Sequence, residues 1–227
     1  MSTATAIDLE AIERLVAALP RGKDKSLLQL PGVKERLGAT CELTERQLEA
    51  EALLCSPATH CMLFGGSRSG KTFIIMREIV RRALQCQSRH AVLRYRFNHL
   101  KASIIYDTLP KVMQICFPGA EWKLDKSDWF AKLANGSEIW FGGLDEKERT
   151  EKILGQEYAS IFLNECSQIP LSSRDIAVTR LAQRTALPLK MYYDCNPPSK
   201  RHWTYLYFID KIDPARHQPL AAPDNYV

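Results

Sequence analysis

The sequence predicts an α/β fold: a mostly parallel central sheet flanked by helices, with an N-terminal helical arm and a β-hairpin insertion. Three observations predict it. Short apolar runs that suit buried strands alternate with segments of helical period, the order required by a parallel sheet covered on both faces. A glycine-rich loop at Gly65–Thr72 joins one such run to one such helix. Asn135-Gly136 separates two short alternating runs, and both residues tolerate the positive φ of a tight hairpin.

Taken in order, residues 7–20 and 24–37 place apolar side chains (Ile7, Leu9, Ile12, Leu15) at helical spacing between Pro20-Arg21-Gly22 and Pro31-Gly32. They predict an arm of short helices over residues 1–40. A third helix, Glu42 to Leu54, begins behind Thr44 with Gln47 three residues on, a capping-box spacing. Cys61–Phe64 reads as a buried strand, Lys71–Leu84 as a helix, Ala91–Phe97 as a strand and Leu100–Cys116 as mostly helical, interrupted near Pro110. Trp129–Leu133 and Glu138–Phe141 flank the hairpin turn. Tyr158–Leu163 and Leu189–Cys195 are further strands; Ser172–Gln183, capped by Ser172 and Ser173, and His202–Lys211 are helices. At 227 residues, against about 150 per domain, this is one domain, residues 41–212, with a smaller arm. Residues 213–227, with Pro214, Pro219 and Pro223, read as a linker.

Composition narrows the classes. With 45% apolar and 25% charged residues the chain is neither fibrous nor wholly disordered. No run approaches the roughly 20 apolar residues of a membrane span, and the start MSTATAIDLEAIERL lacks a secretory signal, so a cytoplasmic protein without a membrane partner is expected. The seven cysteines are odd in number and form no C-x-x-C pair, which argues against a disulfide framework or a zinc site. From Arg68 to Lys101 there are nine Lys or Arg residues and one acidic residue, Glu78, a local charge of 9 − 1 = +8. That stretch suits either a polyphosphate- or DNA-facing surface or a solvated helix face.

Gly65-Gly66-Ser67-Arg68-Ser69-Gly70-Lys71-Thr72 fits G-x-x-x-x-G-K-S/T, between an apolar strand and a helix. Backbone N–H groups of such a loop cradle phosphates, with Lys71 bridging the β- and γ-phosphates of ATP and Thr72 holding Mg²⁺. Ile161-Phe162-Leu163-Asn164-Glu165 delivers two polar side chains at the end of a buried strand, where open α/β sheets bind ligands. Glu165 is the expected water-activating carboxylate. Asn164 stands where an aspartate is usual and is expected to meet the metal's water shell without charge. Asn196, after the strand ending at Cys195, suits either a γ-phosphate sensor or an Asn-Pro turn.

The ordered set of motifs resembles the large terminase subunit of tailed double-stranded DNA bacteriophages, specifically its N-terminal packaging ATPase domain. The resemblance runs from about Glu42 to Asp210. It rests on Leu43-Thr44-Glu45-Arg46-Gln47, the Gly65–Thr72 loop, Leu93-Arg94, Asn135-Gly136-Ser137 leading to Phe141-Gly142-Gly143-Leu144, Phe162-Leu163-Asn164-Glu165, and Asn196-Pro197-Pro198-Ser199-Lys200 with His202-Trp203. It implies a P-loop ATP hydrolase that translocates double-stranded DNA into a procapsid, using ATP and Mg²⁺. By it, Gln47 contacts the adenine, Arg68 lies by the phosphates, and Asn196 marks the coupling motif. A trans arginine finger belongs near Arg149 or Lys152. The implied partners are double-stranded DNA, the portal protein, the small terminase subunit and further copies in a ring on the portal, the isolated domain being a candidate monomer. The implied place of action is the cytoplasm of an infected bacterium. The RNase H-like nuclease domain typical of the family is not expected in this chain. Two rival readings use the same residues: a helicase-like nucleic-acid motor, and an ATP-binding assembly module that does not hydrolyse.

Overall fold

The computed structural model describes residues 43–145, 150 and 153–227. The expected N-terminal arm, Arg149 and Lys152 lie outside the described residues. Thr44 opens α1 (Glu45–Leu54) through a complete capping box: its hydroxyl accepts from the Gln47 N–H, and Gln47 Oε1 accepts from the Thr44 N–H. β1 (His60–Phe64) runs through the glycine loop into α2 (Lys71–Gln85), and β2 (Arg89–Arg94) follows. Next comes a long helical segment: α3 (Phe97–Leu100), a π-helical stretch (Lys101–Thr108), and α4 (Leu109–Cys116). Pro110 sits in the first turn of α4, where its missing N–H is tolerated, so it marks a change of helical pitch rather than a break. β3 (Trp122–Asp125), β4 (Phe130–Leu133) and β5 (Glu138–Gly143) come next, then β6 (Ser160–Leu163), α5 (Leu171–Val178) and β7 (Lys190–Cys195). α6 (Trp203–Tyr205) passes into a π-helical Leu206–Asp210.

Among the described residues, β1 to β7 form one seven-stranded sheet in the order β1-β7-β6-β2-β5-β4-β3. The first five are parallel, and β4 and β3 extend the sheet antiparallel as the expected hairpin insertion plus a strand the sequence reading did not separate. Alternate residues of each central strand enter opposite cores. Cys61, Leu63, Val92, Phe141, Phe162 and Tyr192 pack under α2, α3 and α4. Met62, Leu93, Trp140, Ile161, Leu163 and Tyr193 pack under α5 and the Trp203–Phe208 segment. Burial on both faces explains why these strands read as continuous apolar runs. Among the described residues no helix is long and apolar enough to cross a membrane.

The hairpin turn also holds the far end of α2. Gly136 adopts φ +85° at the turn. Beside it, Asn135 Nδ2 donates to the Ala83 carbonyl at 2.8 Å and Ser137 Oγ donates to the same carbonyl at 2.6 Å. Ser137 Oγ also accepts from the Ser88 N–H at 3.0 Å. The last turn of α2, whose carbonyls lack intrahelical partners, is thus capped by the insertion.

Several expectations change. α5 ends at Val178 rather than Gln183 and has no Ser172 or Ser173 cap; Pro170 occupies the N-cap position. The physical reason lies just before β6: the Tyr158 N–H donates to the Arg180 carbonyl, the Gln183 N–H donates to the Tyr158 carbonyl, and Gln183 Oε1 accepts from the Arg89 N–H. Residues 180–183 bond the chain that leads into β6 and the start of β2 and cannot also be helical. The segment expected as a linker is seated on the domain. β8 (Ile212–Asp213) pairs with β9 (Gln218–Pro219), and Tyr226 stacks on His60 at 4.3 Å. Val227 exchanges backbone hydrogen bonds with β1, at 2.9 Å to the His60 carbonyl and 2.7 Å from the Met62 N–H. Four of the nine cations of the basic stretch are taken up within the domain: Arg77 pairs with Glu51, Arg81 with Glu78 and Arg89 with Glu138, while Arg82 donates to Ser160 Oγ and the Pro188 carbonyl. The stretch is not a uniform anion-facing surface.

Ser137→Ala removes the acceptor of the buried Ser88 N–H and should cost about 1–3 kcal/mol, read as a lower urea midpoint at unchanged m-value. Burial holds the His60 and His90 imidazoles down at about 3. Between that value and about 6.5 the unfolded chain binds protons that the folded chain does not, so stability falls as pH drops. Each histidine should remove about 2 kcal/mol between pH 7 and pH 5. Urea unfolding at both pH values checks this, and His90→Gln should lessen the drop by about 2 kcal/mol.

Candidate functional site

The parallel strands all end on one side, and the polar residues that follow β1, β2, β6 and β7 meet there. After Phe64 the chain turns through Gly65–Gly70 into α2. Gly70 takes φ +82°, a left-handed conformation that brings the N-terminus of α2 directly against the loop, and the helix has no side-chain cap. Its first N–H groups and its dipole therefore favour an anion in front of the loop. Lys71 Nζ donates to the carbonyls of Gly65 and Gly66, each at 2.8 Å, and to Ser69 Oγ at 3.2 Å, so the ammonium is folded onto the loop crest. Arg68 is exposed at the crest in a left-handed conformation, φ +61°.

A cleft of about 390 Å³ is lined by the loop from Ser67 to Phe73, by Glu165 and Asn196, and by Thr108 of the π-helical stretch. A second, of about 520 Å³, is lined by Thr72, Arg94, Ser103, Asn164 and Glu165. Thr72, Asp107, Thr108 and Glu165 line both. The structure thus brings together the loop, Lys71, Thr72, Asn164, Glu165 and Asn196. Gln47 reaches the same region from α1: a Cβ built on Gly70 would lie 3.0 Å from its Nε2, while its Oε1 is held by the capping box.

Glu165 follows β6 with φ +50°, ψ +48°, a left-handed conformation costly for a residue with a Cβ, and a short 3₁₀ turn (Cys166–Gln168) follows it. One group holds this turn. Asp194, at the end of β7, is 1% exposed. Its Oδ1 accepts from the Glu165 N–H at 2.7 Å, its Oδ2 accepts from Thr72 Oγ1 at 2.6 Å, and Asn164 Nδ2 donates to both oxygens at 3.0 and 3.1 Å. Burial raises the Asp194 carboxyl to about 6, and the bonds from Thr72, Glu165 and Asn164 pull against that rise. Arg94 Nη1 donates to Asn164 Oδ1 at 3.2 Å and to Ser103 Oγ at 3.1 Å. Asp194 and Arg94 are the members of the site that sequence reasoning did not single out. Leu93-Arg94 and Asp194-Cys195-Asn196 are visible as strings, but only the strand order shows that they converge.

The residues fit a magnesium nucleotide. An uncapped helix N-terminus, a glycine crest and Lys71 suit a polyphosphate. Mg²⁺ usually keeps several waters and takes one or two carboxylates beside phosphate oxygens. One hydroxyl, Thr72, with Asp194 behind it and Glu165 beside it, is that kind of donor set. Among the described residues no group of three or more His, Cys, Asp or Glu side chains is placed to hold a metal by itself.

Comparison with solved structures places this fold beside terminase ATPase domains. The large terminase of a thermophilic bacteriophage superposes with a TM-score of 0.66 at 19% identity, over 79% of this chain and 45% of that one. The ATPase domain of the Thermus phage P74-26 large terminase gives 0.53 at 17% identity, over 78% and 74%. The bacteriophage HK97 large terminase gives 0.59 at 13% identity, over 83% and 43%. The chain thus spans less than half the length of the thermophilic phage protein. No curated protein matches it. The family model described as phage terminase large subunit matches residues 58–226, most of the chain and every residue of the site except Gln47, and the chain belongs to that family.

Proposed function

We propose that this chain is the ATPase portion of a viral DNA-packaging motor, a Mg²⁺-dependent ATP hydrolase that drives double-stranded DNA into a procapsid. The observation that carries the reading is the convergence of Lys71, Thr72 and Glu165 on one cleft at the carboxyl edge of a parallel sheet, in a chain of the terminase family. Support for nucleotide as the ligand also comes from relatives of the same fold, since the large terminase of the thermophilic phage has been solved with ADP and with ATP-γ-S.

In this reading the loop N–H groups and the α2 N-terminus bind the phosphates, and Lys71 exchanges its loop carbonyls for phosphate oxygens. Arg68, at the exposed crest, adds charge beside them. Thr72 would face the magnesium, with Asn164 behind it, and the ion when bound would neutralise charge on the phosphates. Glu165 orients a water and accepts its proton as the water attacks in line. Asn196, at the edge of the cleft, reports the loss of the terminal phosphate to the chain beyond β7. Gln47, held by its capping box, offers Nε2 to the base. Most of the acceleration in phosphoryl transfer is electrostatic and positional, so the pre-formed turn at Glu165 is a catalytic asset despite its strain.

The family suggests the partners: double-stranded DNA, the portal, the small terminase subunit and further copies of the chain, acting in the cytoplasm of an infected bacterium. A cation from a neighbouring copy would complete the charge balance, and the segment containing Arg149 and Lys152 is where it would arise.

Phosphate release from Mg–ATP tests the reading. Lys71→Ala should abolish turnover and weaken nucleotide binding, whereas Glu165→Gln should keep binding and lower turnover by about 10²- to 10⁴-fold. Turnover by the parent that rises more than linearly with protein concentration is the expected sign of a neighbour's contribution. Lys71→Ala protein hydrolysing ATP at the parent rate would sink the reading.

A further inference from the structure

The residue preceding Glu165 is the unusual element of the site. An acidic side chain there would be expected to touch the P-loop threonine and the metal's water shell. Asn164 carries no charge, yet the corner it occupies does contain a buried carboxylate: Asp194, delivered by β7, the strand inserted between the P-loop strand β1 and β6. Asp194 Oδ2, not Asn164, is the acceptor of the Thr72 hydroxyl, at 2.6 Å against 3.4 Å between Asn164 Nδ2 and Thr72 Oγ1.

The orientation of the Asn164 amide follows from its neighbours. Arg94 can only donate and an ionised Asp194 can only accept, so Oδ1 must face Arg94 and Nδ2 must face Asp194. An aspartate at position 164 would put carboxylate oxygens about 3 Å apart, and one of the two would be forced to hold a proton. The same corner therefore has room for one carboxylate, and its two sides are chemically complementary: a cation, Arg94, on the side of residue 164, and the Thr72 hydroxyl and Glu165 N–H on the side of residue 194.

We infer that the carboxylate of the magnesium site has moved from the strand before Glu165 to β7: Asp194 is the positioning residue for Thr72 and the metal's water shell, and Asn164 is the neutral spacer that holds it between Arg94 and Thr72. This rests on the ATPase reading, which assigns neither role to Asp194. It accounts for an asparagine at 164 without loss of hydrolysis, and it makes position 194 the one that a chain of this kind must keep acidic.

The test is a charge swap in the whole chain, with Asp194→Asn, Asn164→Asp and the double variant compared with the parent. Affinity for fluorescent ADP is measured with Mg²⁺ and with EDTA, and thermal unfolding is followed without nucleotide. Asp194→Asn should lose at least tenfold of the enhancement of affinity by Mg²⁺ while Mg²⁺-free affinity stays within about twofold, a split that a merely structural defect does not produce. Asn164→Asp alone should lower the unfolding temperature of the nucleotide-free protein, and adding Asp194→Asn should restore both that temperature and most of the Mg²⁺ enhancement. Asp194→Asn with the parent's Mg²⁺ enhancement overturns the inference. So does a double variant that fails to fold or folds without recovering the enhancement, because one charge exchanged across a 3 Å contact should be accommodated on either side. A parent that binds no nucleotide fails the ATPase reading itself, whereas a parent that binds with an unaltered Asp194→Asn variant fails only this assignment.

Discussion

A buried carboxylate needs donors, and the demand of Asp194 for them organises the carboxyl end of this domain's sheet. Its oxygens collect an N–H from the turn after β6, a hydroxyl from the first turn of α2 and an amide from Asn164. Hydrogen bonds to a charged acceptor are roughly twice as strong as neutral ones. An unpaired carboxylate at this depth would cost more than the strand end could supply. The P-loop helix, the Glu165 turn and β7 are therefore held as one unit, and the left-handed conformation of Glu165 persists because its N–H is committed to Asp194.

The same helix is fixed at its other end by an element far away in sequence. Asn135 and Ser137 bind carbonyls at the end of α2, so the hairpin insertion is a clamp on the P-loop helix as well as a sheet extension. With Thr72 bound to Asp194 at one end and Ala83 bound to the hairpin at the other, α2 resists both translation and rotation. Its buried arginines add to this, since Arg77 and Arg82 reach Glu51 and Ser160 on opposite sides of the helix.

What could be read from the sequence was what is local. The Gly65–Thr72 loop, the Thr44–Gln47 box, the Asn135-Gly136 turn and the Asn164-Glu165 strand end each have their mechanism written in neighbouring residues. The sheet was legible as a class because its central strands are apolar on both faces, but not in its order. Asp194 was hidden for that reason: its importance depends on β7 lying between β1 and β6, and no spacing along the chain announces that. The basic stretch was left open between two readings for a related reason. Composition counts charges without their partners, and Glu51, Glu78 and Glu138, spread over the chain, absorb three of those arginines. The shortened α5 is a third case, in which a plausible helical period lost to the backbone needs of Tyr158, just before β6.

The position of Asp194 also bears on how chemistry could reach the rest of a motor. Asn196 lies two residues beyond it, exposed on the edge of the cleft, and the chain then runs through Pro197-Pro198, whose fixed φ makes a stiff lever. A side chain at 164 that held Thr72 would couple it to β6 and the Glu165 turn alone. A side chain at 194 also couples it to the end of β7, from which the chain runs on to Asn196. A shift of Thr72 would reach Asp194 directly, through a 2.6 Å bond, and from there both the segment that carries Asn196 and the Glu165 turn. Placing the carboxylate on β7 thus puts α2 and the strand that leads to Asn196 in direct contact, with no intermediate side chain.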